Sequence, residues 1–155
     1  MTKDYTTSNF DLLQLNKNPH FKGVFSKDNK LPPNTPGTGY IVNLESTTDG
    51  NGTHWIGVTH DNKQTYYYDP FGMVPPDMIL KKIKGNTDRP VVYSDVQIQN
   101  DNATTCGYFA SSFLKHMTKK GMPSWQKYYD YIYKIMEPNN PKNNERVIKK
   151  EFKLT

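Results

Sequence analysis

The chain of 155 residues contains one cysteine, Cys106, and this scarcity excludes two kinds of site. A single thiol cannot form an intrachain disulfide, and it cannot supply a cysteine-rich zinc centre. A lone free thiol favours a reducing compartment. No apolar run approaches the roughly 20 residues that span a bilayer, and residues 1–5 lack the apolar character of a signal peptide. We therefore expect a protein that is neither secreted nor inserted in a membrane.

Apolar residues are also few, at 34% of the chain, but 11 Tyr, 7 Phe and 2 Trp supply large surfaces for a core. The length predicts one domain over residues 1–155, and we expect a monomer. No phosphate loop, metal motif or dinucleotide fingerprint is present, so the sequence predicts no metal and no required cofactor. The net charge of +5 leaves nucleic acid open as a partner.

The order of strand and helix signals predicts an α+β domain with a mainly antiparallel central sheet. Strands are predicted at residues 40–44, 54–59, 64–69 and 91–99, with turns at 47–52 and 60–63. Helices are predicted at residues 8–15, 75–83, 106–119 and 124–136. Residues 19–37 are predicted to be mostly loop. The polar tail, residues 138–155, is predicted to be extended or partly disordered, with room for an edge element near its end.

Cys106 stands where a helix is predicted to begin. Thr104 or Thr105 can cap this helix, and Gly107 permits close approach of another chain segment. The positive end of the helix dipole stabilises a thiolate, so this position favours a reactive cysteine with a lowered pKa. A free cysteine is also commonly a small buried hydrophobe, and this alternative stays open.

A base and an orienting carboxylate are available upstream. His20, His60 and His116 lie in a predicted loop, a polar turn and a helix end, where structural roles suffice. His54 instead begins an apolar strand, from which it could face the start of a helix. If the next turn is centred on residues 61 and 62, the strand register pairs His54 with Asp69. Asp69 would then fix the imidazole tautomer, although a purely turn-forming aspartate stays open.

Gln99 precedes Cys106 by seven residues and is the candidate oxyanion donor. Its side-chain N–H, together with the backbone N–H of Cys106, would form an oxyanion hole, in which one donor contributes about 3 kcal/mol. Gln97 shares the same face of the predicted strand and is the rival candidate. A solvated surface position for Gln99 is the remaining alternative.

In chain order, these segments resemble the adenovirus endopeptidase (adenain) group of cysteine proteases. This group is the viral branch of the clan that includes proteases of SUMO and ubiquitin-like modifiers. The segments HFKGVF (20–25), IVN (41–43) and GTHW (52–55) resemble the group's opening segment and strands. YDPFG (68–72) is similar to its FEPFG motif, with Asp for Glu. Gln99 through CGYF (106–109) is similar to its Gln-x6-Cys-Gly-Leu-Phe motif.

The resemblance implies a role for each candidate residue. Cys106 would be the nucleophile, His54 the general base, Asp69 its orienting carboxylate and Gln99 the oxyanion donor. It also implies a central sheet with the nucleophile on a packed helix. Members of the group cut after small residues, at Gly-Gly-type sites in capsid and core precursors. We expect Trp55 to wall a narrow cleft that suits such glycines.

Adenain is larger, and it is activated by a disulfide-linked viral peptide with DNA as a second cofactor. This chain lacks a second cysteine and cannot copy the covalent activation, whereas DNA stays open as an activator. We predict a virion-maturation protease of a virophage or a related adenovirus-like DNA virus. Its partners would be capsid and core precursor polypeptides, and its location the virion and the host-cell virus factory. Two alternatives stay open: an isopeptidase for ubiquitin-like modifiers, and a catalytically silent module that binds DNA or capsid.

Overall fold

The computed structural model describes residues 3–45, 54–101 and 103–155, and the turn predicted at 47–52 lies outside these ranges. Helix α1 (Asn9–Leu15) confirms the helix predicted at residues 8–15, and it begins with a capping box. The Ser8 hydroxyl accepts the Asp11 N–H at 3.1 Å, and the Asp11 carboxylate accepts the Ser8 N–H at 2.9 Å. This reciprocal pair satisfies backbone donors that the helix itself leaves without acceptors.

The described residues form one sheet of five strands in sequence order, from β1 to β5. The strands are β1 (Phe21–Ser26), β2 (Gly39–Asn43), β3 (Trp55–His60), β4 (Thr65–Tyr68) and β5 (Val91–Val92). The three central strands pair antiparallel, whereas β1 joins β2 and β5 joins β4 in parallel. The α+β class is therefore confirmed, but the sheet is mixed because both edge strands run parallel to their neighbours.

Two predictions for the edge strands were wrong. Strand β1 lies in the segment predicted to be mostly loop, because three of the prolines that indicate a loop, Pro32, Pro33 and Pro36, follow the strand rather than interrupt it. The strand predicted at residues 91–99 is reduced to β5, and the rest of that segment runs as extended chain without ladder pairing.

Helices cover both faces of the sheet. Helix α2 (Asp77–Lys84) lies on one face, and α3 (Cys106–Thr118) lies on the other with α1, α4 (Trp125–Asp130) and α5 (Pro141–Glu151). Neighbouring strand residues point to opposite faces, so Tyr68 stacks on Phe113 of α3 at 4.6 Å between ring centroids, while Tyr67 packs toward α2. Every residue of β3 and β4 is buried, as expected for a sheet covered on both sides.

The C-terminal region is more ordered than predicted. The helix predicted at residues 124–136 is α4 followed by one π-helical turn, Tyr131–Ile135. The tail forms α5, which corrects the expectation of an extended or partly disordered segment. Asn140 caps α5 by accepting the Asn143 N–H at 3.3 Å, and Pro141 stands in its first turn. None of the described helices is long and apolar enough to cross a bilayer.

Candidate active site

His54 and Asp69 meet at the same end of the sheet, because His54 directly precedes β3 and Asp69 directly follows β4. The distance from His54 Nε2 to Asp69 Oδ2 is 2.9 Å. A carboxylate accepts, so Nε2 donates and the Nδ1 of the neutral imidazole is left as an acceptor. The second oxygen of Asp69 accepts the Phe71 N–H at 2.9 Å, and the Phe71 ring packs edge-on against the imidazole. The imidazole is therefore fixed in both tautomer and angle.

The His54–Asp69 contact predicted from the strand register is present, but the register itself differs from the predicted one. Gly57 pairs with Tyr68, so one further step places Asp69 opposite Ile56 rather than opposite His54. The difference of two residues arises because the turn is centred between residues 62 and 63, one position later than predicted. The contact survives because diagonal neighbours in an antiparallel pair are within reach of long side chains.

Cys106 is the first residue of α3, at the helix start that the sequence predicts. Its sulfur accepts the Trp55 N–H, with N and S 3.2 Å apart, and donates to the Trp55 carbonyl oxygen at 3.1 Å. The Trp55 nitrogen belongs to the peptide bond that follows His54, so the thiol lies beside the backbone of the candidate base. In the described part of the chain, the His54 ring forms no hydrogen bond with the Cys106 sulfur. Base and nucleophile are thus neighbours, with the thiol bonded to the strand.

Burial raises the pKa of the Cys106 thiol well above its ordinary value. The Trp55 hydrogen bond partly offsets this shift, and the charge of Asp69 adds to it. The sequence predicts the opposite direction from the helix dipole, but the thiol is only 2% exposed and desolvation outweighs the dipole. A thiol that donates to a carbonyl carries its proton, so this arrangement is a neutral resting form.

Gln99 lies closer to the nucleophile's loop than its rival does. Its Nε2 donates to the Ala103 carbonyl at 3.1 Å and to Thr105 Oγ1 at 3.4 Å, and its side chain is buried. Gln97 instead donates to the Gln99 carbonyl at 3.0 Å and to Asp101 at 3.3 Å. The geometry therefore favours Gln99 as a donor that acts beside the start of α3, once an acceptor competes for its amide.

Thr105 and Glu145 are site residues that the sequence reading missed. Thr105 occupies the N-cap position of α3 without capping the helix, contrary to the prediction. Its hydroxyl contacts both carboxylate oxygens of Glu145 at 2.8 Å and accepts the Gln99 amide. A line of hydrogen bonds therefore runs from α5 to the oxyanion candidate. The sequence does contain a signal for the helix that carries Glu145. Pro141 stands at the start of a polar segment whose few apolar residues have helical spacing.

The turn at residues 69–72 joins the two halves of the site. Its Pro70 carbonyl accepts the Gln99 N–H at 2.8 Å. Gly72 has φ +77°, and a Cβ at this position would lie 2.7 Å from backbone atoms of Val96. Only glycine fits such a backbone contact in the left-handed region. The turn that presents Asp69 consequently also holds the segment that carries Gln99.

Trp55, the expected cleft wall, has a buried side chain in this structure. It is 2% exposed and packs in the core cluster with Cys106, and its indole N–H has no hydrogen-bond partner among the described residues. The indole therefore packs in the same buried cluster as Cys106 and does not line an exposed cleft in this structure.

Two other histidines, His60 and His116, have structural partners. His60 is fully buried at the end of β3 rather than in a polar turn, and its Nδ1 lies 2.8 Å from Thr65 Oγ1. His116 Nε2 donates to the Lys127 carbonyl at 3.0 Å. Within residues 3–45, 54–101 and 103–155, no group of three or more His, Cys, Asp or Glu side chains is arranged to hold a metal ion.

Comparison with known proteins adds a fold relative. No family model matches the chain, and no curated protein matches it. Among solved structures, the chain is similar to the central domain of the uncharacterized Lpg1148 protein from Legionella pneumophila. The TM-score is 0.54 at 14% identity, and the match covers 97% of each chain. At this identity the likeness concerns the fold alone.

Proposed function

We propose that this chain is a cysteine endopeptidase in which Cys106, His54, Asp69 and Gln99 carry the chemistry. The observation that carries the proposal is the hydrogen-bonded His54–Asp69 pair at the strand ends, with a thiol at a helix start beside the His54–Trp55 peptide. A base held by a carboxylate next to a thiol is the arrangement that nucleophilic catalysis requires.

The reaction begins when the Cys106 thiol exchanges its bond to the Trp55 carbonyl for one to His54 Nδ1. The proton moves from Sγ to Nδ1, and the thiolate adds to the carbonyl carbon of the scissile peptide. The oxyanion accepts the Cys106 N–H, which has no acceptor within its own helix, and the Gln99 amide. The imidazolium protonates the leaving amine, and water then hydrolyses the thioester.

The resemblance to the adenain group supports the finer assignment. It points to virion maturation, with capsid and core precursors cut after small residues at Gly-Gly-type sites. It also supports action in the virion and the virus factory, with DNA as an activator left open. The ordered motifs from residue 20 to residue 109 support this assignment, since three of them contain His54, Asp69, and the pair Gln99 and Cys106.

A second candidate is a catalytically silent binding module with a structural thiol. The observation in its favour is the state of Cys106, which is buried and has a raised pKa. Its thiol hydrogen-bonds to both the N–H and the carbonyl of Trp55. A module of this kind would keep the thiol unreactive in the presence of any peptide.

The deciding experiment compares the protein with its Cys106→Ala variant on a library of peptides from a digested proteome. Mass spectrometry of the new termini gives the cut sites. We expect cuts after small residues with the native protein and none with Cys106→Ala. His54→Ala, which keeps the thiol, separates general-base catalysis from simple thiol reactivity and should also abolish the cuts.

Two further readouts separate the alternatives. Cleavage confined to fluorogenic conjugates of ubiquitin-like modifiers would assign the isopeptidase alternative. Alkylation of Cys106 by iodoacetamide, followed over time with and without a cleavable peptide, tests the silent module. The endopeptidase proposal predicts faster alkylation when the cleavable peptide is present, because occupation of the site releases the thiol from the Trp55 backbone. It is overturned by a thiol that stays inert together with an absence of cuts.

A further inference from the structure

A cavity of about 760 Å³ lies beside the segment that leads into the nucleophile. Its lining includes Ala103 and Thr104 from the loop before α3 and several residues of α5. Lys3 and Tyr5 of the N-terminal segment also line it. None of the catalytic candidates lines this cavity, so the mechanism above leaves it unused.

The α5 wall of the cavity is a stripe of positive charge. Lys142, Arg146 and Lys149 all line it, at spacings of four and three residues that place them on one helix face. Among the described residues, none of the three forms an ion pair with a carboxylate. Glu145 is the one acidic residue in the lining, and its carboxylate is bonded to the Thr105 hydroxyl. The cavity therefore has excess positive charge to offer a ligand.

The position of the cavity relates it to the scissile bond. Thr104 is two residues from Cys106, so their Cα atoms are at most about 7.6 Å apart. An extended peptide advances roughly 3.3–3.6 Å per residue. A substrate whose scissile carbonyl lies at Cys106 would therefore reach the cavity about two to four residues away.

We propose that this cavity is a subsite for acidic side chains of the polypeptide substrate, near but not at the cleaved bond. The inference rests on the proposed endopeptidase function and adds a substrate preference to it. Glu or Asp side chains would pair with Lys142, Arg146 and Lys149. The side-chain N–H groups of Asn140 and Asn143, which also line the cavity, suit the carbonyl groups of an extended chain.

The lining favours a polypeptide over a bare phosphate or a nucleic acid. Tyr5 and Pro141 add apolar surface beside the cations, and the Lys149 ammonium lies over the Tyr5 ring at 5.2 Å from its centroid. Mixed apolar, amide and cationic walls match a peptide that alternates acidic and small residues. A phosphate backbone would call for a longer track of cations than one helix face supplies.

The test measures binding to full-length Cys106→Ala protein, so that no cleavage occurs. The probes are dye-labelled ten-residue peptides with a central Gly-Gly, carrying three Glu on one side or on the other, and matched peptides with Gln in place of Glu. Three exposed ion pairs of ordinary surface strength should lower the Kd about tenfold relative to the matched Gln peptide. We expect this effect for the Glu peptide whose acidic residues lie on the side of the Gly-Gly that reaches the cavity. This preference should shrink as the salt concentration rises.

The matched variants decide whether the cavity is responsible. Replacing Lys142, Arg146 and Lys149 with Gln should abolish the preference for Glu. Replacing the exposed Lys17, Lys30 and Lys63 with Gln removes the same charge elsewhere and should leave the preference intact. Equal loss in both triple variants, or equal Kd values for Glu and Gln peptides, would overturn the subsite. Tighter binding of a single-stranded oligonucleotide that depends on the α5 triple would assign the cavity to nucleic acid instead.

Failure of the subsite and failure of the proposed function remain distinguishable. Binding is read on the Cys106→Ala protein, whereas cleavage is read separately on the native protein. Cysteine-dependent cuts without an acidic preference would remove only the subsite. An acidic preference without cuts would leave a peptide-binding cavity and overturn the endopeptidase.

Discussion

The contact between Gly107 and the N-terminal segment gives a sharp test of how the nucleophile's helix is held. A Cβ built on Gly107 would lie 2.1 Å from Thr7 Oγ1 and 2.8 Å from Leu12 Cδ2. Both distances are shorter than real Cβ contacts, so Gly107→Ala must displace the side chains of Thr7 and Leu12. Because Gly107 directly follows Cys106, this displacement acts next to the thiol.

The expected magnitude follows from two opposing effects. Overpacking of a buried site costs typically 1–3 kcal/mol, about 2 kcal/mol here, in the free energy of unfolding. Alanine regains at most about 1 kcal/mol over glycine through its helix propensity. Thr7→Ala removes the clashing oxygen, which is buried without a hydrogen-bond partner among the described residues, so its own cost should be small. The double variant should therefore recover most of the stability that Gly107→Ala loses.

Urea unfolding of the two single variants and the double variant measures this coupling. Thr7→Ser is the matched control, because serine keeps the oxygen that clashes and should not rescue Gly107→Ala. A Gly107→Ala protein as stable as the native one would refute the close packing of residue 7 on α3. Equal rescue by Thr7→Ser and Thr7→Ala would refute the identity of the clashing atom.

Three further outcomes are expected. Burial, and next the charge of Arg89, lower the pKa of His60 to about 4 from 6.5, so unfolded chains bind an extra proton between these values. The contribution of neutral His60 to the free energy of unfolding is complete above about pH 6.5, and about 3 kcal/mol of it is lost as the pH falls to 4. Urea titrations of His60→Asn at these pH values should not show this loss. Asp69→Asn should lower kcat/KM by up to about 10⁴-fold in a peptide assay, because an amide that donates to Nε2 leaves the proton on Nδ1. Glu145→Ala should lower kcat about tenfold with KM unchanged, equivalent to one hydrogen bond to a charged group, whereas Glu145→Gln should retain most of kcat.

The positions of the candidate site residues could be predicted because each lies at a boundary of a helix or strand that the local sequence marks. His54 directly precedes a strand of mostly apolar residues, Asp69 precedes Pro-Phe-Gly, and Cys106 is the first residue of a helix. Local signals of this kind indicate where elements end, and site residues commonly lie at element ends. The His54–Asp69 contact tolerated a register error because imidazole and carboxylate span a diagonal position.

Properties that depend on tertiary packing could not be predicted in the same way. Helix α5 has few apolar residues, and its order depends on Asn144, whose amide donates to the Ile98 carbonyl at 2.9 Å and to the Glu137 carbonyl at 2.8 Å. The pKa of Cys106 has the opposite direction to the prediction, because sequence reveals the helix dipole but not the burial of the sulfur. Strand β1 likewise depends on parallel pairing with β2, in which Val24 pairs with Ile41 across an intervening loop that local signals do not describe.

The resting arrangement implies that substrate binding and activation are one step in the proposed mechanism. The Cys106 thiol bonds to the Trp55 backbone, and the Gln99 amide bonds to Ala103 and Thr105, so neither group is free to act. Releasing either group alone would leave buried polar atoms without partners, at about 1–3 kcal/mol each. A scissile carbonyl at the start of α3 offers the Gln99 amide a new acceptor. It also favours rotation of the Cys106 thiol from the Trp55 carbonyl toward His54. Occupation therefore compensates for the release, and the thiol should remain protected from adventitious reaction until a peptide is bound.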